Sequence, residues 1–200
     1  MGRSWPYLVL LLPPLFWAGN FIVGRAFSAE LGAITMSFYR WLLALCLLAP
    51  FAYSRVRQEL PIILNHLPIL TVLALLSVAS FNVLLYLGLR DTEATNALLI
   101  NSSIPVWIVL FGVLFYNDSL TLRRGLGILV SLLGVSFLIF SGQSQGLTVN
   151  PGDLWVMSSS IGWALYSLTL RKKPSDLSGL GFLAYIVLFG VCFNGLLLAI

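Results

Sequence analysis

Arg40 stands seven residues into an apolar run that begins at Ala33, roughly 10 Å deep at a helical rise of ~1.5 Å per residue. A charge at that depth costs about 2.5 kcal/mol or more unless it is paired or wetted. Such a guanidinium either binds a substrate carboxylate or pairs with a carbonyl or carboxylate of the protein. Arg25, nearer the end of its own run, is expected to snorkel. Two stripes are spaced to share a surface. Trp17, Asn20, Phe21, Gly24 and Ser28 fall on one helical face, and Ser159, Ser160, Trp163, Tyr166 and Ser167 on another. Aromatic and small polar residues on two such faces suit a guest with an apolar body and a polar end, although helix packing gathers small and hydroxyl residues as well. Trp17, Asn20, Arg40, Trp163 and Tyr166 are candidates to line a path through the protein; Tyr39, Tyr86 and Trp107 read equally well as interfacial or packing residues.

The run Ala94–Tyr116 is expected to organise the rest. It is long enough to cross a bilayer, whose core of ~30 Å needs about 20 helical residues. Thr92, Thr95, Asn96, Leu99, Ser102 and Ser103 fall on one side of it and Asn101 on the other. Amides facing lipid would be left unpaired, so both sides must meet protein or water. Pro105 removes one backbone bond and frees the carbonyl of Asn101. The pattern predicts a helix broken at mid-depth, inside a bundle and beside a cavity, which adds Asn96, Asn101 and Ser102 to the path candidates.

Other chemistries lack their parts. His66 is alone, no His/Cys/carboxylate group has metal-site spacing, and Cys46 and Cys192 sit in apolar runs, so neither a metal, nor another cofactor, nor a disulfide framework is indicated. An intramembrane serine protease would need a histidine within a span, and lipid-phosphate chemistry clustered carboxylates. There is no phosphate-binding loop for ATP. Every acid lies at or near the end of a run, which leaves no obvious proton relay. An enzyme is not expected.

The elements that must position these residues are apolar helices. Hydrophobic residues make up 59% of the 200-residue chain and charged residues 9%, against roughly 25% charged in soluble domains. Seven runs are long enough to span a membrane: about 5–27, 33–53, 67–89, 94–116, 125–141, 153–170 and 179–200. Placing the N-terminus and the loops 54–66, 117–124 and 171–178 in the cytoplasm puts Arg3, Arg55, Arg57, Arg123, Arg124, Arg171, Lys172 and Lys173 there, eight of the eleven basic residues. Topology thus accounts for the pI near 9.3 without nucleic acid. The small-residue stripe Gly127, Ser131, Gly134 predicts a close helix contact.

Shifting the chain by 146 residues aligns Trp17-Ala18 with Trp163-Ala164, Arg25 with Arg171, Leu31 with Leu177, Tyr39 with Tyr185 and Leu42 with Leu188. Spans one and six are an odd number of crossings apart, so the repeat would be inverted, with a substrate site where its halves meet.

The segments LFWAGNFIVGRAF, FYRWLLALCLLAP, YLGLRDTEATNALLINSSIPVW, DSLTLRRGLGILVSLLGV and SSSIGWALYSLTLRK, in this order and spacing, resemble the drug/metabolite transporter superfamily, specifically its EamA-type ten-helix carriers. The resemblance implies an all-α polytopic bundle of inverted five-helix repeats. The first repeat is 1–141, the linker is 142–152 and outside the cytoplasm, and 153–200 begins the second. It also implies export of a small metabolite, amino acid-like or drug-like, across the inner or plasma membrane by alternating access, with Pro13, Pro14 and Pro105 as hinge candidates. Membrane lipid and a small-molecule substrate are the expected partners. Asn117-Asp118 stands where the family often has Gly-Glu, and Asp118 is expected to order the following loop with Arg123 and Arg124. The chain stops at Ile200 inside the seventh span, so further C-terminal helices or a dimer partner are expected. The alternative is a non-transporting scaffold or a half-carrier that needs a partner.

Overall fold

In the computed structural model, backbone is described for residues 7, 9–142 and 150–200, and side chains for all of these but 28, 29, 135, 136 and 138–142. Each expected apolar run is a helix, and no strand occurs among the described residues. The helices are α1 (Leu12–Leu31), α2 (Ala33–Asn65), α3 (Leu67–Asp91), α4 (Ala94–Tyr116), α5 (Leu122–Gly142), α6 (Pro151–Thr169) and α7 (Gly179–Ala199). The chain is an all-α integral membrane protein. Among the described residues α2, α3, α4 and α7 are each long and apolar enough to cross a membrane. The other three carry more polar side chains, such as Asn20 and Arg25 in α1, Arg123 and Arg124 in α5, and Ser158–Ser160 in α6. Ser28, most of the linker and the N-terminal Arg3 lie outside the described side chains or residues.

Local chemistry sets the helix ends. Gly32 alone separates α1 from α2 and takes φ 71°, ψ 146°, backbone that side chains with a Cβ rarely adopt. Asn150 and Asp153 form a reciprocal capping box at the start of α6, with Pro151 in its first turn. The Ser178 side chain accepts from the Gly181 amide to cap α7. Asn117 closes α4 in the left-handed region at φ 53°, ψ 31°. Asparagine tolerates that conformation best after glycine.

Two expectations change. Residues 54–66 are not a loop: α2 runs on through Pro50 and Pro61 to Asn65. At 33 residues it is longer than a ~30 Å hydrocarbon core requires, because Ser54–Leu64 is rich in helix formers and buries Glu59 and Ile63 against the start of α7. And α3, not α4, is the central helix. In their most apolar stretches 61% of α3 is buried and only 17% of α4. One core cluster joins Leu70, Leu73, Ala74 and Val78 of α3 to Phe182, Ile186 and Val187 of α7. The other joins Phe81, Leu85, Tyr86 and Leu89 of α3 to Phe21 of α1, Met36 of α2 and Val156 of α6.

Outward faces are apolar, as lipid demands. Leu43, Leu47 and Phe51 recur every four residues on α2 and are exposed. Helix α5 is peripheral, and the positions a Cβ would take on Gly127 and Gly134 meet nothing within 4 Å. The predicted small-residue contact is therefore absent among the described residues, since α5 touches chiefly the Ala94–Asn101 half of α4.

Candidate functional site

Both irregularities in the long helices lie beside cavities. In α3 the stretch Leu75–Ala79 is a π turn, and both the amide and the hydroxyl of Ser80 donate to the Leu75 carbonyl, at 2.9 and 2.6 Å. Such wide turns recur at functional sites because they re-aim side chains. Ser77 and Val78 of this turn line a cavity of about 370 Å³, with Phe81 and Asn82 on the following turn. Helix α1 adds Phe16, Trp17 and Asn20, α2 adds Arg40 and Trp41, α6 adds Trp163 and Tyr166, and α7 adds Leu183 and Ile186. Five of the eight predicted path residues meet here: Trp17, Asn20, Arg40, Trp163 and Tyr166.

Aromatic rings form one wall. Trp163 contacts Phe81 at 4.7 Å between ring centroids, Tyr166 at 5.0 Å and Trp17 at 5.9 Å, spacings typical of tilted ring pairs. Trp17 and Trp163 are also the pair brought into register by the 146-residue shift. The other wall is polar and centred on Arg40. Its Nη1 donates to Asn82 Oδ1 at 2.6 Å, to the Tyr86 hydroxyl at 2.6 Å and to Asn20 Oδ1 at 2.8 Å, and the Tyr86 hydroxyl donates in turn to Asn20 Oδ1 at 2.7 Å. Among the described residues Arg40 has no acidic partner.

Asn82 and Tyr86 were missed as site residues, although their i, i+4 spacing inside an apolar run marks one helical face. Tyr86 is fully buried, with its hydroxyl held by the arginine and its ring against Gly24. Phe21 and Gly24, from the same predicted stripe as Trp17, pack on α3 instead of lining the cavity.

The remaining path residues are placed elsewhere. Helix α4 runs as Ala94–Asn101 and Ile104–Tyr116, interrupted at Ser102–Ser103, with Pro105 in the first turn of the second half. Asn101 is buried, and its Oδ1 accepts from the Ser160 hydroxyl at 3.2 Å. Ser102 is exposed and turns back to donate to the Leu99 carbonyl. Both border a second cavity of about 460 Å³ with Pro14, Ala18, Ile104 and Pro105, and Trp17 borders both cavities. Asn96 is half-buried and lines neither. Pro13 and Pro14 open α1 just after a turn at Leu10 and Leu11.

The bundle is tied at each end. Near the start of α6, Gly152 lies against Gly88: a Cβ added to Gly152 would stand 2.5 Å from the Gly88 carbonyl oxygen. The Thr92 hydroxyl donates to Asp153 Oδ1 at 2.5 Å, and Asn150 Nδ2 donates to the Asp91 carbonyl. Arg25 reaches the same end of α3, donating to the carbonyls of Leu89 and Arg90 at 2.7 Å each and meeting Glu93 at 3.4 Å. Rather than simply snorkelling, it satisfies the terminal carbonyls of α3, where a cation also complements the helix dipole. Past the far end of α6, Arg171 grips Asp118 through two hydrogen bonds, 3.0 and 2.8 Å, and its guanidinium lies 5.4 Å from the Tyr116 ring centre. Asp118 thus bridges to α6, and Arg124 orders the intervening loop by donating to the Ser119 carbonyl. The hydrogen bonds from Arg171 hold the Asp118 carboxyl below its ordinary range. Buried Glu59 of α2 accepts from Ser178 at the head of α7.

Residues 4–140 match the EamA-like transporter family. An uncharacterized transporter of Methanothermobacter thermautotrophicus is 27% identical over 180 residues, covering 82% of this chain and 52% of its own. One of Archaeoglobus fulgidus is 29% identical over 172 residues, covering 85% and 58%. Protein WALLS ARE THIN 1 of Arabidopsis thaliana is 30% identical over 147 residues, covering 72% and 38%. The chain spans about half the length of the curated relatives it matches. No solved structure matches it.

Proposed function

Because the chain belongs to the EamA-like transporter family, whose members are carriers and not enzymes, we propose that it moves a small metabolite, amino acid-like or drug-like, out of the cell by alternating access. The single observation that carries this reading is the cavity of about 370 Å³ with an aromatic wall and a polar wall, shared among α1, α2, α3, α6 and α7. Its size lies within the ~300–1,000 Å³ usual for small-molecule sites, and its lining of apolar surface with a few placed polar groups is what such sites use.

In this reading Trp17, Asn20, Arg40, Trp163 and Tyr166 contact the substrate, while Asn96, Asn101 and Ser102 belong to a path along α4. The protein sits in the inner or plasma membrane with a cytoplasmic N-terminus. The two units of an inverted repeat rock against each other, flexing at the α4 break before Pro105 and at the turn before Pro13 and Pro14. The contact of Trp17 with Trp163, which the 146-residue shift aligns, in one wall of the cavity supports that arrangement. The test is efflux from cells or vesicles expressing the triple variant Asn20→Ala, Arg40→Ala, Trp163→Ala. The variant is expected to insert in the membrane and lose transport; full transport would sink the site assignment.

A further inference from the structure

We propose that the cavity is an anion site and that its substrate is a small organic carboxylate with a flat apolar body. This rests on the carrier reading for its use in transport, but the argument for charge stands on the hydrogen-bond inventory alone. A guanidinium offers five N–H donors and no acceptor. In Arg40 only Nη1 is engaged, by two amide oxygens and one hydroxyl, all neutral; Nη2 and Nε have no partner among the described residues.

The arginine also decides which way its neighbours face. Because it holds the oxygens of Asn20 and Asn82, the Nδ2 amides of both remain as unused donors. The indole nitrogen of Trp41, whose ring lies 5.1 Å from the Arg40 guanidinium, is buried with no hydrogen-bond partner among the described residues. The Ser77 hydroxyl is spent on the Leu73 carbonyl. Every nitrogen left over in the polar wall is therefore a donor.

The charge has no internal answer. The chain has seven acidic residues, namely Glu30, Glu59, Asp91, Glu93, Asp118, Asp153 and Asp176, and none lines the cavity. Ion pairs among the described residues are Arg25–Glu93 and Arg171–Asp118, both at helix ends. Arg40 is exposed, and its charge, fixed by three neutral acceptors on one nitrogen, faces no acid in the cavity it lines, so it is open to an anionic guest. The free Nη2 and Nε groups match the two oxygens of a carboxylate, the geometry in which arginine binds such groups most strongly. The flat body follows from the opposite wall, where Phe81, Trp163 and Tyr166 present rings in mutual contact.

The test compares 3-phenylpropionate with its uncharged amide, 3-phenylpropionamide, in equilibrium binding to the purified protein and, separately, in flux across proteoliposomes. The carboxylate is expected to bind at least about tenfold more tightly than the amide, since hydrogen bonds to charged groups contribute roughly 1.5–3 kcal/mol and each 1.4 kcal/mol is tenfold. Arg40→Gln should erase that preference and Arg40→Lys restore part of it. Equal binding of acid and amide, carboxylate binding unaltered in a folded Arg40→Gln variant, or no saturable carboxylate binding would each overturn the anion site. Selective binding without flux would leave the anion site standing and remove the carrier reading. Flux of the amide matching that of the acid would do the reverse.

Discussion

At its first turn α6 meets α3 backbone to backbone, whereas just past its far end it is tied by side-chain charge. Asp153 and Arg171 stand roughly 27 Å apart along α6 at ~1.5 Å per residue. At the Asp153 end two glycines let the helices approach until only hydrogen would fit between them, and a short hydrogen bond joins Thr92 to Asp153. At the Arg171 end the partners, Arg171 and Asp118, are 48% and 31% exposed, so solvent and salt screen them. A joint made by close backbone contact answers to side-chain volume; a joint made by exposed charge answers to salt and to the ionisation of Asp118. For a bundle proposed to open at alternate ends, this difference makes the two ends separately adjustable.

Three changes would break or sharpen that contrast. The largest effect is expected from Gly152→Val. A Cβ there meets the Gly88 carbonyl at 2.5 Å and the Thr92 amide at 2.9 Å, and backbone cannot step aside as a rotamer can. Overpacking of this kind costs about 1–3 kcal/mol, read as a lower midpoint in denaturant unfolding of the detergent-solubilised protein. A midpoint unchanged from wild type would mean the helices do not touch there.

Smaller is Thr92→Val, which keeps the shape and removes one hydrogen bond to Asp153. Because Asp153 keeps its place in the capping box of α6, the loss should be about 1 kcal/mol. Additivity of Thr92→Val with Gly152→Val would show that the two contacts act independently, and strong coupling would show a single joint.

The smallest effect is that of Asp118→Asn. The Asp118 carboxyl is lowered in the folded protein, chiefly by its hydrogen bonds to Arg171. Its stabilisation is therefore fully present above the unfolded carboxylate value of about 3.9 and disappears as pH falls through the lower folded value. The gap in melting temperature between wild type and Asp118→Asn should hold steady from neutral pH down to about 3.9, narrow as pH falls from there through the lower folded value, and shrink in high salt. A gap that widened toward acid pH would reverse the sign and refute the account of this end.

How far the sequence reaches can be judged residue by residue. The helical class was legible because bilayer thickness sets a length that composition meets or does not; the seven apolar runs fall on helices, and among the described residues four of these are long and apolar enough to cross a membrane. Trp17, Asn20, Arg40, Trp163 and Tyr166 stood out because polar and aromatic side chains at helical spacing are conspicuous in apolar runs. Asn82 and Tyr86 were visible on the same ground and lost weight because a tyrosine in a membrane helix has so many ordinary roles. The importance given to α4 was misplaced: its polar residues are conspicuous, but Asn101 finds its partner in Ser160, and Ser102 spends its hydroxyl on its own backbone.

The sequence by itself determined that this chain is a bundle of membrane helices and that one arginine stands inside an apolar run, seven residues from its start. Those are local properties, set by the period of the helix and by the cost of polar groups in hydrocarbon. Only the tertiary structure decided that α3 is the central helix and that the π turn at Leu75–Ala79 falls beside the cavity. It alone decided that Arg40 is held by three neutral acceptors. Partnership is a matter of distance between residues far apart in the chain, as with Arg40 and Tyr86 or Arg171 and Asp118, and no periodicity in one segment encodes which segment will lie beside it.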